Sequence, residues 1–483
     1  MSARLSELVR RDLEVDPVIE GVTADSRKVR PGYLFAALPG AKADGRAFIS
    51  GAIKAGAAAV LTEGDAQGIA APVVTAVDVR RAYALAAGAF YGAQPAICVA
   101  VTGTNGKTSV AAFCRQIFDR LGRKAASMGT LGVTLGPRAG GEQIAPPGLT
   151  TPDAADVAER LADLAGRGVT HLAMEASSHG IDQRRLDGVH LAAAGFLNLT
   201  QDHLDYHGTM EAYRGAKLRL FESLLPRGRA AVLNADSDAY GAFAAAAVGA
   251  GHTLLSVGER GQALRLIARS AEADGQRLSI AAYGETFDVL LPLAGAFQAS
   301  NALAAAGLCI AAGEAPGDVL AALGHIQGAP GRLQRIGGGP RGGEAYIDYA
   351  HTSDGLKTVL EAVRPHARGR VILVFGAGGD RDRAKRPLMG AAAVQGADLV
   401  FVTDDNPRGE DPAAIRAAIL AAAPGAREIG DRRQAIASAV AELTDGDVLV
   451  VAGKGHEQGQ IVGSEVFPFD DAAEVAAALR GAA

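Results

Sequence analysis

The chain has 483 residues, too many for a single hydrophobic core and enough for roughly two to four domains, with three expected. With 48% hydrophobic and 21% charged residues, 62 glycines and a net charge of −5 (pI about 6.1), it has an ordinary globular composition, which excludes a disordered chain. No basic footprint for nucleic acid or an anionic membrane is present, so an anionic substrate must be met by local positive groups.

The first residues, Met1 to Arg11, contain no apolar core or cleavage-like site and do not read as a signal peptide. Residues 1–94 alternate short apolar runs with turns, as in Gly32-Tyr33-Leu34-Phe35-Ala36-Ala37-Leu38-Pro39-Gly40, and predict a small α/β domain closed by the linker Gly92-Ala93-Gln94-Pro95. Over 95–329, strands and helices alternate. Ile97 to Thr102 is strand-like, Val110, Phe113, Cys114, Ile117, Phe118 and Leu121 recur at helical spacing, and further strands are expected at 171–175, 194–199 and 230–234. The uncharged stretches 82–106 and 289–313 are long enough to suggest membrane spans, but Gln94-Pro95 and the Pro292, Gln298, Ser300 and Asn301 positions interrupt them, and both read as core. After Gly328-Ala329-Pro330-Gly331, residues 330–483 carry buried-strand runs at 371–375, 399–403 and 448–452, each followed by a turn and a helix pattern. The expected class is α/β, with mainly parallel sheets covered by helices: a central domain carrying a phosphate loop and a C-terminal Rossmann-like domain. The three cysteines, Cys98, Cys114 and Cys309, lie in apolar runs at unrelated spacings, which predicts buried thiols in a reducing cytoplasm and neither a disulfide frame nor a zinc site.

The most informative segment is Val101-Thr102-Gly103-Thr104-Asn105-Gly106-Lys107-Thr108-Ser109, placed between a strand and a helix. Glycines delivered to a helix N-terminus present free backbone N–H groups and the positive end of the helix dipole to an anion. Gly103 and Gly106 allow close backbone approach, Lys107 would meet the β and γ phosphates of a nucleoside triphosphate, and the Thr108 hydroxyl would face Mg²⁺. The common P-loop places a glycine five positions before the second one, where this chain has Val101, so the loop is a shortened form. Polar clusters at 174–180, 198–208, 376–386, 404–408 and 453–457 fall at or just past predicted strand ends, where open α/β sheets bind ligands. Among them, Glu175 and His203 form a reasonable donor pair for Mg²⁺ near a triphosphate, although His203 equally suits a helix start.

Taken together, the shortened loop and the ordered segments Asp25-Ser26-Arg27, Thr150-Thr151-Pro152-Asp153, Glu175 to Gly180, Asn198 to Gly208, Tyr213 to Phe221, Asp348 to Thr352, Asp404 to Arg408 and Gly453 to Glu457 resemble the Mur ligases over nearly the whole chain. The branch most resembled adds the third amino acid of the peptidoglycan stem peptide. The resemblance implies a three-domain architecture with limits at 1–94, 95–329 and 330–483. It implies ATP-dependent addition of meso-2,6-diaminopimelate to UDP-N-acetylmuramoyl-L-alanyl-D-glutamate through an acyl phosphate, by a cytoplasmic monomer that uses two Mg²⁺ ions.

Residue by residue, the resemblance assigns Gly103, Thr104, Asn105, Gly106, Lys107, Thr108 and Ser109 to the ATP phosphates, Asn301 and Arg332 to the adenine and ribose, and Asp348 to the ribose. Thr108 and Glu175 would serve the first Mg²⁺, and His203 with a CO₂-carbamylated Lys217 the second. Carbamylation replaces a repelling cation with an oxygen ligand. Lys107, Glu175, His203 and Lys217 form the implied catalytic set. Ser26 and the turn Ala41-Lys42-Ala43 would touch the uridine diphosphate, while Thr150, Thr151, Ser177, Gln183 and Arg185 would hold the sugar and peptide. Asp405-Asn406-Pro407-Arg408 resembles the diaminopimelate-adding variant, whereas lysine-adding relatives lack this arginine. A guanidinium can grip the second carboxylate that distinguishes diaminopimelate from lysine. Arg381 would hold a carboxylate as well, with Gly453 and Glu457 at the far end and Glu457 on the ammonium. The alternatives are a lysine-adding Mur ligase, a folylpolyglutamate synthetase and a nucleotide switch without ligase chemistry. The second has no reason to carry the Asp25-Ser26-Arg27 or Asp405 to Arg408 segments.

Overall fold

The computed structural model describes residues 1–40, 44–64, 68–272 and 275–481. They form two compact units, residues 1–263 with 304–319, and residues 264–303 with 320–483.

In the first unit, a four-stranded parallel sheet is built from Gly21–Thr23, Tyr33–Ala36, Ala59–Thr62 and Val73–Thr75. The helix Val79–Tyr91 buries Val79, Tyr83, Ala86, Ala87 and Phe90 against it, and residues 92–95 then run without regular structure. A second sheet follows in the order Gln143–Ala145, Gly132–Leu135, Ala125–Gly129, His171–Glu175, Ile97–Thr102, Leu191–Phe196, Ala230–Asn234 and Thr253–Gly258. From Ala125–Gly129 to Thr253–Gly258 every pairing is parallel. Buried on both faces, these strands read as near-continuous apolar runs, which is why their positions were legible. The strand expected at 194–199 instead spans Leu191–Phe196. Residues 197–199 turn away to serve the phosphate loop, Leu197 N–H donating to Thr102 O and Asn198 O accepting from Thr104 N–H. The two sheets are joined by polar contacts, Tyr83 Oη to Asp153 Oδ1 (2.6 Å) and Arg184 Nε to Asp78 Oδ2 (2.8 Å).

The second unit contains the antiparallel strands Leu264–Glu272, Gly275–Ala282 and Glu285–Leu291, and a six-stranded sheet. In the latter, Gln334–Gly338 pairs antiparallel with Glu344–Asp348, and the remaining order is Val448–Ala452, Val371–Phe375, Leu399–Val402 and Arg427–Glu428, all parallel. Period-two alternation sorts its side chains. Val371, Leu373 and Phe375 enter the core with the helices Ser353–Val363 and Lys385–Gly396, while Ile372 and Val374 enter the opposite core with Arg432–Glu442 and Asp471–Gly481. Cys98, Cys114 and Cys309 are buried and free, and burial pushes the Cys98 thiol up to about 12.

Candidate functional site

Ile97–Thr102 lies between His171–Glu175 and Leu191–Phe196, with Val101 opposite Glu175 and Thr102 opposite Phe196. Three parallel strands therefore end side by side, and the loops that leave them must share the space beyond their carboxyl ends. The first of these loops enters the helix Lys107–Arg120, with Gly106 as its N-cap. Thr104 Oγ1 accepts from Thr200 N–H (3.0 Å) and lies 3.2 Å from Tyr213 Oη, and Asn105 N–H donates to Asn198 Oδ1 (2.9 Å). Lys107 Nζ donates to Gly103 O (2.8 Å) and Thr104 O (2.9 Å), so the amine is held inside the arc of the loop.

The structure brings Thr108 and Glu175 together. Thr108 Oγ1 donates to Glu175 Oε2 at 3.0 Å, and Thr130 N–H donates to Glu175 Oε1 at 2.8 Å. Both side chains are buried, and the approach is close enough that a Cβ at Gly129 would fall 2.1 Å from Glu175 Oε1, so only glycine fits there. The residues assigned to sugar and peptide continue the same network. Thr150 Oγ1 lies 3.0 Å from Thr130 Oγ1, Thr151 Oγ1 donates to Glu175 O, and Ser177 Oγ donates to Thr151 Oγ1 while accepting from Gly180 N–H as a helix N-cap. Arg185 donates to Thr151 O and to Gln183 Oε1, and Gln183 in turn donates to Tyr206 Oη. Ser26 starts a short 3₁₀ turn beyond the strand Gly21–Thr23, capped by Asp25. Ala41, Lys42 and Ala43 lie outside the described residues.

Lys217 is 1% exposed, donates to Gly103 O (2.8 Å) and sits 4.5 Å from the Tyr213 ring centroid. Burial, reinforced by the Lys107 charge, lowers its pKa well below the ordinary value. His203 N-caps the short helix Leu204–His207 at φ 53°, half exposed, with Nε2 3.4 Å from Asp202 Oδ2 and its ring 6.2 Å from that of Tyr213. His203 and Lys217 thus adjoin the same ring. Among the described residues, no group of three or more His, Cys, Asp or Glu side chains is placed to hold a metal ion.

In the second unit, Asn301, Arg332 and Asp348 converge. Asn301 Nδ2 donates to Gln298 Oε1, Gln298 Nε2 donates to Arg332 O, and Asp348 accepts from Leu333 N–H (2.7 Å) and Ala350 N–H (2.8 Å). Burial raises the Asp348 pKa. The Arg332 guanidinium stacks 4.7 Å from the Tyr349 ring centroid, which packs on His456 as well; sequence reading had singled out neither ring.

The turn Asp405-Asn406-Pro407-Arg408 follows the strand Leu399–Val402. Asp405 and Asn406 are buried. Arg408 takes a left-handed backbone (φ 52°), unusual for a residue with a side chain, and hydrogen bonds on both sides hold it there: Arg408 N–H to Ile461 O and Gly463 N–H to Arg408 O. Its Nη1 donates to Gly379 O (2.9 Å). Asn406 Nδ2 donates to Glu457 Oε2 (2.8 Å), and Gly453, at φ 115°, leaves room for Asp405, whose Oδ2 would lie 2.6 Å from any Cβ there. Asp405, Asn406, Arg408, Gly453 and Glu457 are therefore neighbours, whereas Arg381 is exposed on the adjoining turn. Lys454, fully buried against Asn406 and Glu457, lies inside the 453–457 segment that the sequence singles out, but received no role of its own there.

Three family descriptions match the chain: "Mur ligase family, catalytic domain" over 18–91, "Mur ligase middle domain" over 101–309 and "Mur ligase, glutamate ligase domain" over 331–455. The chain is 68% identical, over all of its length and 99% of the relative's, to the UDP-N-acetylmuramoyl-L-alanyl-D-glutamate--2,6-diaminopimelate ligase of Caulobacter vibrioides. It is 50% identical to the protein of that name from Bradyrhizobium diazoefficiens, over 99% of each chain. A solved structure of a ligase with the same name superposes with a TM-score of 0.76 at 34% identity, covering 100% of this chain and 99% of that one. The MurF ligase of Thermotoga maritima in complex with ADP (TM-score 0.60, 18% identity, 90% and 94% coverage) shares the fold.

The lowered pKa of Lys217 has a consequence for stability. The unfolded chain keeps this proton up to about pH 10.5, whereas the native state loses it earlier. Between the two values the unfolded state binds the extra proton, so native stability rises with pH, and below the lower value the full cost of the buried ammonium is present. In bicarbonate-free buffer, Lys217→Met is expected to flatten the rise in unfolding free energy as pH climbs toward about 10.5, measured by denaturant titration. Parallel profiles for the two proteins would show that this amine does not titrate in that window.

Proposed function

The chain belongs to the Mur ligase family, and on that premise we propose that it joins meso-2,6-diaminopimelate to UDP-N-acetylmuramoyl-L-alanyl-D-glutamate at the expense of ATP, a step of peptidoglycan precursor synthesis. The observation that carries the choice of amino acid is the Asp405 to Arg408 turn. There a guanidinium, with Nε and Nη2 donating to nothing among the described residues, stands on the same turn as Asn406, whose amide holds the Glu457 carboxylate. A cation and an anion so placed suit an amino acid whose far end carries both a carboxylate and an ammonium, and L-lysine offers only the latter.

In the reaction, a carboxylate oxygen of the D-glutamyl side chain attacks the γ phosphorus and the bond to the β–γ bridging oxygen breaks, giving ADP and an acyl phosphate. The amine of diaminopimelate adds to the acyl carbon, and the tetrahedral intermediate expels phosphate as the nitrogen gives up a proton. The protein's share is to position reactants and offset charge. The N–H groups of Gly103 to Ser109 would cradle the phosphates, Lys107 would leave its loop carbonyls to meet the γ phosphoryl oxygens, and Asn301, Arg332 and Asp348 would hold the nucleoside. Thr150, Thr151, Ser177, Gln183 and Arg185 would orient the sugar and peptide, with Ser26 and the 41–43 turn at the uridine diphosphate.

Thr108 Oγ1 and the Glu175 carboxylate are hard oxygen donors, adjacent and buried, and that donor set fits Mg²⁺. Mg²⁺, when bound, offsets phosphate charge and polarises the transferring group. A second ion would be held by His203 and by Lys217 as its carbamate, formed when the neutral amine nitrogen bonds to the carbon of CO₂ and releases a proton. The burial that favours the neutral amine supports that chemistry. The functional domains are taken as 1–94, 95–329 and 330–483, in a cytoplasmic monomer. No helix among the described residues is long and apolar enough to cross a membrane.

Pure protein with ATP, Mg²⁺ and UDP-N-acetylmuramoyl-L-Ala-D-Glu is expected to give the diaminopimelate product by mass and little product with L-lysine. Product with lysine alone would reassign the amino acid, and none with either would overturn the reading. Arg408→Ala is expected to raise KM for diaminopimelate about ten- to a hundred-fold with little change for ATP; an equal rise for both would remove Arg408 from the amino-acid site. Stripping dissolved CO₂ is expected to slow the wild-type enzyme and added bicarbonate to restore it, whereas full activity in CO₂-free buffer would refute the carbamate.

A further inference from the structure

Lys454 follows the strand Val448–Ala452 and is 0% exposed, yet it is an ammonium group by ordinary chemistry. Long cationic side chains are almost never fully buried unless paired, because removing the charge from water costs several kcal/mol, on the order of what a good partner set returns. Its partners are few and specific. Nζ donates to Asn406 Oδ1 at 2.9 Å and to Glu457 Oε2 at 3.3 Å. Both partners belong to the proposed amino-acid site.

The arrangement fixes two choices that the site would otherwise leave open. Asn406 could present either its oxygen or its nitrogen to Glu457. Lys454 Nζ and Ile461 N–H (2.9 Å) both claim Oδ1, which turns Nδ2 toward Glu457 Oε2 at 2.8 Å. Glu457 is then held by one oxygen. Oε2 accepts from both Asn406 and Lys454, while Oε1 accepts no hydrogen bond among the described residues, and the side chain is 33% exposed. One carboxylate oxygen is anchored from below and the other is left for a ligand cation.

On the reading of this site as the diaminopimelate site, the geometry points to Lys454 as a positioning residue that orients Asn406 and Glu457 so that Glu457 Oε1 receives the ammonium of the incoming amino acid. Lys454 does not touch the substrate itself. It sets the amide orientation and holds Oε2 of Glu457, which leaves the carboxylate's other oxygen directed to the ligand.

The test compares wild type, Lys454→Gln and Lys454→Arg in steady-state assays in which each of the three substrates is varied in turn. Lys454→Gln removes the charge at similar length and is expected to raise KM for diaminopimelate about ten- to a hundred-fold, while KM for ATP and the UDP-dipeptide stays within about twofold. Lys454→Arg keeps a cation and is expected to recover part of the loss. An unchanged diaminopimelate KM in Lys454→Gln, or an equal rise in all three KM values, would overturn the assignment. If Lys454→Gln fails to fold, Lys454→Arg decides alone: a rise confined to the amino-acid KM supports the role, and wild-type values for that KM refute it. If the wild-type enzyme takes another amino acid, the functional reading fails on that result, and Lys454 is judged by the same split measured with that amino acid.

Discussion

The carboxylate of Glu175 is the fixed point around which the phosphate end of the molecule is arranged. It closes the strand His171–Glu175 at 3% exposure, where an ionised group persists only if its lone pairs are taken up by donors. Those donors are Thr108, the first turn of the helix behind the phosphate loop, and the backbone and hydroxyl of Thr130. Its backbone carbonyl holds Thr151, which in turn holds Ser177 and Arg185. A contiguous hydrogen-bonded set thus reaches from the residues assigned to triphosphate to those assigned to sugar and peptide. On the proposed reading, the two halves of the first reaction step would be held in register by one buried carboxyl group.

The second unit uses a different pair for the same purpose. Arg432 and Asp471 are both fully buried and bonded through two contacts of 2.7 Å, and the guanidinium also donates to Ala452 O and Asp404 O. Those carbonyls stand where the strands Val448–Ala452 and Leu399–Val402 hand over to the segments carrying Gly453 to Glu457 and Asp405 to Arg408. A buried ion pair contributes little net stability compared with apolar packing, and removing one partner is costly. Its value here is geometric, since it ties together the roots of the two segments that the proposed reading assigns to the amino acid.

Much of this was legible in the sequence. The strands at 97–102, 171–175, 230–234, 371–375 and 448–452 fell where apolar runs placed them, because a parallel strand buried on both faces is apolar throughout its interior, with polar residues such as Thr102, His171, Glu175 and Asn234 only at its ends. The strand at 191–196 was misplaced by three residues. Its Leu-Ala-Ala-Ala-Gly-Phe sequence is poor in β-branched residues, and the following Leu-Asn-Leu resembles a strand although its hydrogen bonds go to the phosphate loop. The phosphate loop and the Asp405 to Arg408 turn were visible because their chemistry is local. The segments holding Lys454 and Tyr349 were visible too, but no role for either side chain was, since the contacts Lys454–Asn406 and Tyr349–Arg332 form only when distant segments meet. Thr130 escaped for a similar reason: its contact to Glu175 spans 45 residues and leaves no local pattern.

Charge at the phosphate loop is the last matter the fold must settle. A chain of net charge −5 that, on the proposed reading, receives a triphosphate and a carboxylate would meet them with amines held in place by backbone oxygens. Lys107 and Lys217 both donate to Gly103 O, each at 2.8 Å. Two ammonium groups on one carbonyl repel, and at Lys217 burial together with the Lys107 charge lowers the pKa well below the ordinary value. The same enclosure that makes it a poor cation leaves it a nucleophilic amine at the edge of the phosphate site. On the proposed reading, reaction with CO₂ would turn the unfavourable member of the pair into an anion that attracts Lys107 and metal alike. Burial first, and the neighbouring Lys107 charge second, would then be the physical reason that the modification forms at this lysine.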